Sequence, residues 1–347
     1  MFSLARDCKN IKYFSLKFSL ILIFITNSHQ NNTIVFVNNF VYAADTNYNK
    51  QLFYSINSLL NNTNTNLNLH IIHKEPDSFK EYTAKLEKNF NNFSINLYKF
   101  NYKNIEFPNI ENKHVSEATY YRLFIEKIIP QNIENYIYLD ADIVAINNFD
   151  EYINEIMSKL NNSNFTIACR TEYVYNNKKV DFFENLEMSS SKYFNAGVMF
   201  VDHKKWVDEN IGNLLLNKLA ELKDKLNYWD QDVLNSFFDG KYIELNDSIN
   251  YPLNLRWPVP VEDIEEDKLF IHYQSNNKPW NIRGCFNEGS KFYQNVALDS
   301  EKKYHLVKTV KRYDLFFLIL KTIQLKFIKI DKKFNFYKEA FKIIFYN

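Results

Sequence analysis

The stretch "YIYLDADIVAINNFDE", Tyr136 to Glu151, leads four strand-forming residues into two carboxylates one residue apart. Tyr136, Ile137, Tyr138 and Leu139 are aromatic, β-branched or apolar, so they read as a buried strand. Asp140 and Asp142 follow it directly. Like charges that close repel, and each resists burial unless a positive group sits beside it. Either the turn is solvated or it holds a cation. A hard divalent ion bound through oxygen would cancel the repulsion and leave positions open for phosphate.

Working outward, short apolar runs alternate with helical stretches from about Phe40 to Phe270. "FVYAAD" from Phe40, "LHIIH" from Leu69 and "SINLYKF" from Ser94 read as strands. "YNKQLFYSINSLLNN" from Tyr48 and "DSFKEYTAKLEKNF" from Asp77 read as helices between them. A further helix, "EATYYRLFIEKII" from Glu117, stops at Pro130, which cannot continue it. This alternation predicts an α/β fold, a mostly parallel central sheet flanked by helices. In such folds ligands gather at the carboxyl ends of strands, where Asp45, Asp140 and Asp142 fall.

The 347 residues carry 42 Lys and Arg against 41 Asp and Glu, a net charge of +1 that does not favour nucleic acid as a partner. The 3 cysteines, Cys8, Cys169 and Cys285, are odd in number and widely spaced, which argues against a disulfide framework or zinc ribbon and for a reducing compartment. Residues 1–33 form an ill-defined leader. Basic residues precede the apolar run Phe18 to Ile25, as in a signal peptide, but no small-residue cleavage site follows cleanly. The run is also shorter than the about 20 residues needed to cross a bilayer. At the other end, residues 302–347 hold 12 Lys and Arg against 3 Asp and Glu, a local excess of +9. Apolar residues recur at helical spacing between these lysines. Residues 285–347 therefore read as basic amphipathic helices lying on an anionic membrane surface; a packed helix with a solvated basic face is the plainer reading.

Six motifs carry a resemblance: "YAADTNY" (Tyr42 to Tyr48), "TYYRLF" (Thr119 to Phe124), "YLDADI" (Tyr138 to Ile143), "YFNAGVMFVDHKKW" (Tyr193 to Trp206), "DQDVLN" (Asp230 to Asn235) and "IHYQSNNKPW" (Ile271 to Trp280). In this order and spacing they resemble glycosyltransferase family 8, which includes bacterial lipopolysaccharide galactosyl- and glucosyltransferases and glycogenin. The resemblance spans Phe40 to Gly284. It implies a GT-A domain over residues 34–284 and a retaining transfer of glucose or galactose from a UDP-sugar to a glycan such as lipopolysaccharide. It further implies that Asp140, Asp142 and His272 ligate a metal, with Ala141 between the acids. Because an imidazole suits a transition metal, Mn²⁺ is favoured and Mg²⁺ is the second choice. Ala43, Ala44, Asp45 and Tyr48 would hold uracil and ribose, Lys278 the diphosphate, and Arg122 a phosphate or the donor sugar. Asn195, Asp230 and Gln231 would line the sugar pocket, with Asp232 alongside. Gln231 or Asp232 could stabilise charge at the anomeric carbon.

Plainer roles accompany these. Asp45 also reads as a helix N-cap, and Asp230 and Asp232 as acids favourable at a helix start. Two departures stand out. Ser275 or Asn276 occupies a position where family members often carry Gly, and "RTEYV" from Arg170 replaces an expected acid and acceptor contacts. A phosphohydrolase with paired aspartates is disfavoured, since Ile143 follows Asp142 where such enzymes want Thr. A catalytically silent or self-glycosylating UDP-sugar-binding module stays open. The expected location is cytoplasmic, on the inner face of the cytoplasmic membrane.

Overall fold

The computed structural model describes residues 38–102, 107, 108, 116–174, 180–274, 276–307 and 309–345. The leader, residues 1–33, the expected domain start at 34–37, Cys8 and Ser275 lie outside the described residues.

Seven strands form the main sheet in the order β3-β2-β1-β4-β7-β6-β8. They are β1 (Asn38–Ala44), β2 (Leu67–His73), β3 (Phe93–Lys99), β4 (Asn135–Leu139), β6 (Ile167–Val174), β7 (Lys192–Asp202) and β8 (Ile243–Glu244). The pairs β1·β2, β2·β3, β1·β4 and β6·β8 are parallel, whereas β7 runs antiparallel to both β4 and β6. The sheet is mostly parallel, as the alternation predicts. Its central strands β1, β4 and β7 are buried almost throughout because both faces are covered. Ile137 and Leu139 of β4 enter one hydrophobic cluster, while Tyr136 and Tyr138 point into the other. Burying each such side chain contributes about 1.5–3 kcal/mol.

Strand order turns back at β1, which is flanked by β2 on one side and β4 on the other. Connections leave β1 and β4 in opposite directions, and a crevice opens beyond their carboxyl ends. Asp45 follows β1 and Asp140 follows β4. A second sheet, β5 (Ile143–Ala145), β10 (Phe270–Tyr273) and β9 (Tyr251–Leu253), closes over this crevice, with β10 antiparallel to β5 and His272 opposite Ile143.

The segment expected as one helix from Glu117 differs. Glu117–Phe124 is a 3₁₀ helix, capped by the Ser116 side chain, and only Ile125–Ile128 is α-helical. Eight residues is long for this tighter winding, whose period is three. The period explains the choice: Thr119 and Arg122, three apart, stack on one face and both meet Asp230.

Packing continues past residue 284. Tyr293, on the helix Lys291–Glu301, sets its ring edge against Tyr54 of the helix Asn49–Asn61. The last two helices, Lys311–Ile323 and Lys333–Phe345, bury Leu318, Phe336, Ala340 and Ile344 with Ile282 and Cys285 in a third cluster. Their outward side is not polar: Phe316, Ile323 and Phe334 are 66%, 74% and 91% exposed, and Leu325 in the segment joining them is 78% exposed. Among the described residues no helix is long and apolar enough to cross a membrane.

Candidate active site

A cavity of about 560 Å³ fills the crevice. Ala43, Ala44, Asp45, Tyr48, Arg122, Asp140, Ala141, Asp142, Asn195, Asp230, Gln231, His272 and Lys278 all line it. Asp232 does not. Its carboxylate is fully buried, accepting from Tyr193 Oη at 2.6 Å and from the amides of Asn227 and Tyr228 at 2.6 and 2.7 Å. It secures the loop leading into the helix Trp229–Phe238 and is not at hand for the anomeric carbon.

Asp140, Asp142 and His272 each offer an atom to one point, with those atoms all within 4.8 Å of one another. His272 Nε2 lies 3.3 Å from Asp142 Oδ1 and 4.0 Å from Asp140 Oδ2. The imidazole tautomer follows from its surroundings. Asn250 donates through Nδ2 to Asn195 Oδ1 at 2.9 Å, so its Oδ1 accepts from His272 Nδ1 at 2.8 Å. With its proton on Nδ1, the ring turns an Nε2 lone pair toward two carboxylates. Asp142 Oδ1 is itself buried without a hydrogen-bond donor. Lone pairs facing each other across 3.3 Å are what a shared cation relieves, and the outer hydrogen bond from Nδ1 is the usual way a ligating histidine is held. The residues therefore fit a divalent ion.

Two cations back the acids from behind. Lys278 Nζ sits 2.7 Å from Asp142 Oδ2 and donates to the Tyr273 carbonyl. Burial alone would raise the Asp142 pKa, but the Lys278 ammonium beside it outweighs that and holds the group well below the carboxylate range. Arg122 is 6% exposed and spends its three nitrogens on protein acceptors: Nη2 on Asp140 at 2.8 Å, Nε on Asp230 at 2.6 Å and Nη1 on the Ala196 carbonyl at 2.5 Å. It also stacks over the Tyr138 ring at 4.4 Å. Expected against the donor, it lines the cavity and is tied to Asp140 and Asp230. Burial opposes its charge, yet Asp140 and Asp230 push its pKa up. Asp230 shows the reverse balance, burial raising it to about 6 against the pull of Arg122.

Asp45 lines the cavity, and its Oδ1 caps the short 3₁₀ turn Thr46–Tyr48 by accepting from the Asn47 amide at 2.9 Å, the capping role read from the sequence. The Tyr48 ring stands edge-on to Trp280, and burial, then Asp142, Asp45 and Asp140, keeps its hydroxyl protonated.

The side-chain amides of Gln231 and Asn195, both lining the cavity, are locked. Gln231 Oε1 accepts from the Ala196 amide at 3.0 Å, leaving Nε2 to donate to Glu172 and Tyr193. Asn195 Oδ1 accepts from the Gly197 amide, leaving Nδ2 to donate to Glu172 at 3.0 Å. Glu172 is thus a site residue not singled out from the sequence. It lies in "RTEYV", the segment where an acid was expected, so a signal was present. Asn250 had none: it is buried at φ +62°, a left-handed conformation that Asn tolerates, between His272 and Asn195. Gly197 is needed because a Cβ there would stand 2.4 Å from His272 Cε1. Trp229, also lining the cavity, adopts φ +52°, which for so bulky a residue marks stored strain. Asn276, one of the two residues replacing the family glycine, lines the cavity as well.

A mostly parallel nucleotide-type sheet with paired acids at its switch point defines the GT-A class of glycosyltransferases. The chain belongs to glycosyl transferase family 8, whose family model matches residues 39–283. Lipopolysaccharide 1,2-glucosyltransferase of Escherichia coli K12 is 28% identical to it over 271 residues, 76% of this chain and 78% of that protein. Lipopolysaccharide 1,3-galactosyltransferase of Salmonella typhimurium LT2 is 26% identical over 187 residues, 52% of this chain and 55% of that protein. Among solved structures, the galactosyltransferase LgtC with donor and acceptor sugar analogues matches at a TM-score of 0.61 and 22% identity, covering 80% of this chain and 99% of that one.

Proposed function

We propose that the chain is a retaining hexosyltransferase, moving glucose or galactose from a UDP-sugar to a hydroxyl of a glycan, lipopolysaccharide or another surface glycan. The observation that carries this reading is the convergence of Asp140, Asp142 and the His272 lone pair in a cavity that Asp45 and Tyr48 share. The names of the lipopolysaccharide glucosyl- and galactosyltransferase relatives support the acceptor class.

In this reading Asp45 and Tyr48 bind the nucleoside, and Lys278 turns from Asp142 toward the diphosphate as it enters. Asp140, Asp142 and His272 would hold Mn²⁺, or Mg²⁺ less well, and the ion would supply Lewis-acid neutralisation of the departing UDP. Arg122 holds the Asp140 carboxylate in place, so it needs no reorganisation during reaction. Glu172 aligns the Asn195 and Gln231 amides, and donor NH groups at fixed positions select sugar hydroxyls. UDP release, measured across a panel of UDP-sugars with Mn²⁺ and with chelator, tests the assignment. Turnover of one UDP-hexose that chelation abolishes is expected. Silence with every UDP-hexose, or indifference to chelator, overturns it.

The last two helices support attachment to the inner face of the cytoplasmic membrane. Exposed Phe316, Ile323, Leu325 and Phe334 alternate with lysines in a segment carrying an excess of +9. Apolar insertion combined with attraction to anionic lipid is the binding mode of interfacial helices. Because the inward side of these helices is part of a hydrophobic cluster, the clean test is outward substitution. Phe316→Ser with Ile323→Ser should abolish co-sedimentation with anionic vesicles, and unchanged sedimentation removes the membrane assignment.

A further inference from the structure

A second recess, of about 100 Å³, lies between the helix Asn49–Asn61, the segment from Lys303 to Leu306 and the helix Lys333–Phe345. Lys50, Lys303, His305, Glu339 and Lys342 line it, so three ammonium groups face one carboxylate. Among the described residues Lys50 is half-buried and has neither ion-pair nor hydrogen-bond partner. Among the described residues Lys303 reaches only Glu301, at 3.8 Å, outside the recess. Lys342 has no ion-pair partner among the described residues.

The remaining groups do not balance this charge. Burial pushes the Lys50 pKa down; Glu301 and, last in size, Glu339 act against that, and Lys303 and Lys85 add to it. His305 is neutral, driven to about 3 by burial and then by Lys50. The floor is rigid. Gln294 holds both the amide and the carbonyl of His305, at 3.1 and 2.9 Å. Tyr293 Oη pairs with His305 Nδ1 at 2.7 Å, and Tyr304 Oη donates to the Asp331 carbonyl at 2.6 Å. A partly dehydrated cation without a counter-ion is costly, and folds keep such a group where an anion repays it. The volume suits one tetrahedral anion and excludes a nucleotide or a sugar.

We propose that this recess is a binding site for a phosphate group, presented either by a lipid headgroup or as a free phosphate ester, with Lys50, Lys303 and Lys342 as its donors. It stands apart from the transfer cavity and does not depend on the transferase reading.

The full chain is titrated calorimetrically with inorganic phosphate at constant ionic strength, with chloride as reference. Saturable binding specific to phosphate is expected, weakened about tenfold in Lys50→Gln and in Lys342→Gln, since each removes a charge-assisted hydrogen bond. Lys88→Gln, a lysine elsewhere on the surface, should bind as wild type. Lys342 is exposed, so its variant carries the test should Lys50→Gln fold poorly. Binding no tighter than chloride, or equal affinity in wild type and the Lys342 variant, overturns the site. Sedimentation with vesicles of phosphatidic acid in phosphatidylcholine separates the sources. A loss in the Lys342 variant beyond that of Lys326→Gln, an exposed C-terminal lysine outside the recess, assigns the headgroup; no such loss, with phosphate binding still impaired, assigns the free ester.

Discussion

The cavity wall and the last two helices handle charge in opposite ways. Around the cavity, Asp140, Asp142, Arg122, Asp230 and Lys278 sit within hydrogen-bond reach of one another, mostly dehydrated, each with a partner that cannot be replaced by water. On the helices Lys311–Ile323 and Lys333–Phe345, lysines stand in solvent beside exposed aromatics, and their effect is a sum over many. A dehydrated network is sensitive to position, because removing one member strands another. A solvated array is sensitive mainly to total charge and is screened by salt.

The largest effect that would sharpen this contrast is expected at Asp142. Asp142→Asn should cut UDP-sugar turnover about 10³-fold, corresponding to roughly 4 kcal/mol of lost electrostatic stabilisation, while circular dichroism stays native. Near-normal turnover would break the contrast at its strongest point.

Asp230 offers a test by pH. Its pKa of about 6 in the fold exceeds the about 3.9 of an unfolded aspartate, so between those values the folded chain holds a proton that the unfolded chain lacks. Stability therefore falls as pH rises from 4 to 6. Relative to Asp230→Asn, wild type should lose about 3 kcal/mol across that window in urea melts. Parallel curves for the two proteins would mean that Arg122 neutralises the burial penalty.

A smaller change is expected one layer out. Asn250→Ala removes the acceptor that sets the His272 tautomer and should weaken Mn²⁺ affinity about 10–100-fold, read by calorimetry, without displacing a ligand. Smallest of all, Lys326→Gln on the exposed C-terminal side should lower partition onto anionic vesicles only about fivefold, for about 1 kcal/mol per basic residue. A loss as large as that at Asn250 would mean that this lysine occupies a specific site, and the distinction between network and array would fail.

Much of this was legible in the chain. The strand-helix alternation and the acids that end β1 and β4 place the cavity at the switch point, because strand periodicity and the cost of burying a carboxylate are local properties. Other features were not local. Asp232 reads as well as Asp230 in "DQDVLN", yet only helix phase decides that one meets Arg122 while the other turns beneath the loop. Arg122 reads as a donor contact, and the 3₁₀ winding that aims it at Asp140 and Asp230 arises from what surrounds it.

By itself, then, the sequence determined the residue types, the strand ends and the order of motifs, which is enough to settle the fold and to gather most of the site. Only tertiary structure decided who touches whom: that β10 pairs with β5 to carry His272 across 130 residues to Asp142, and that Asn250 and Gly197 leave room and orientation for its ring. The reason is that coordination and tautomer depend on distances of a few ångströms between distant segments, and a linear pattern encodes such distances only through the packing of the whole.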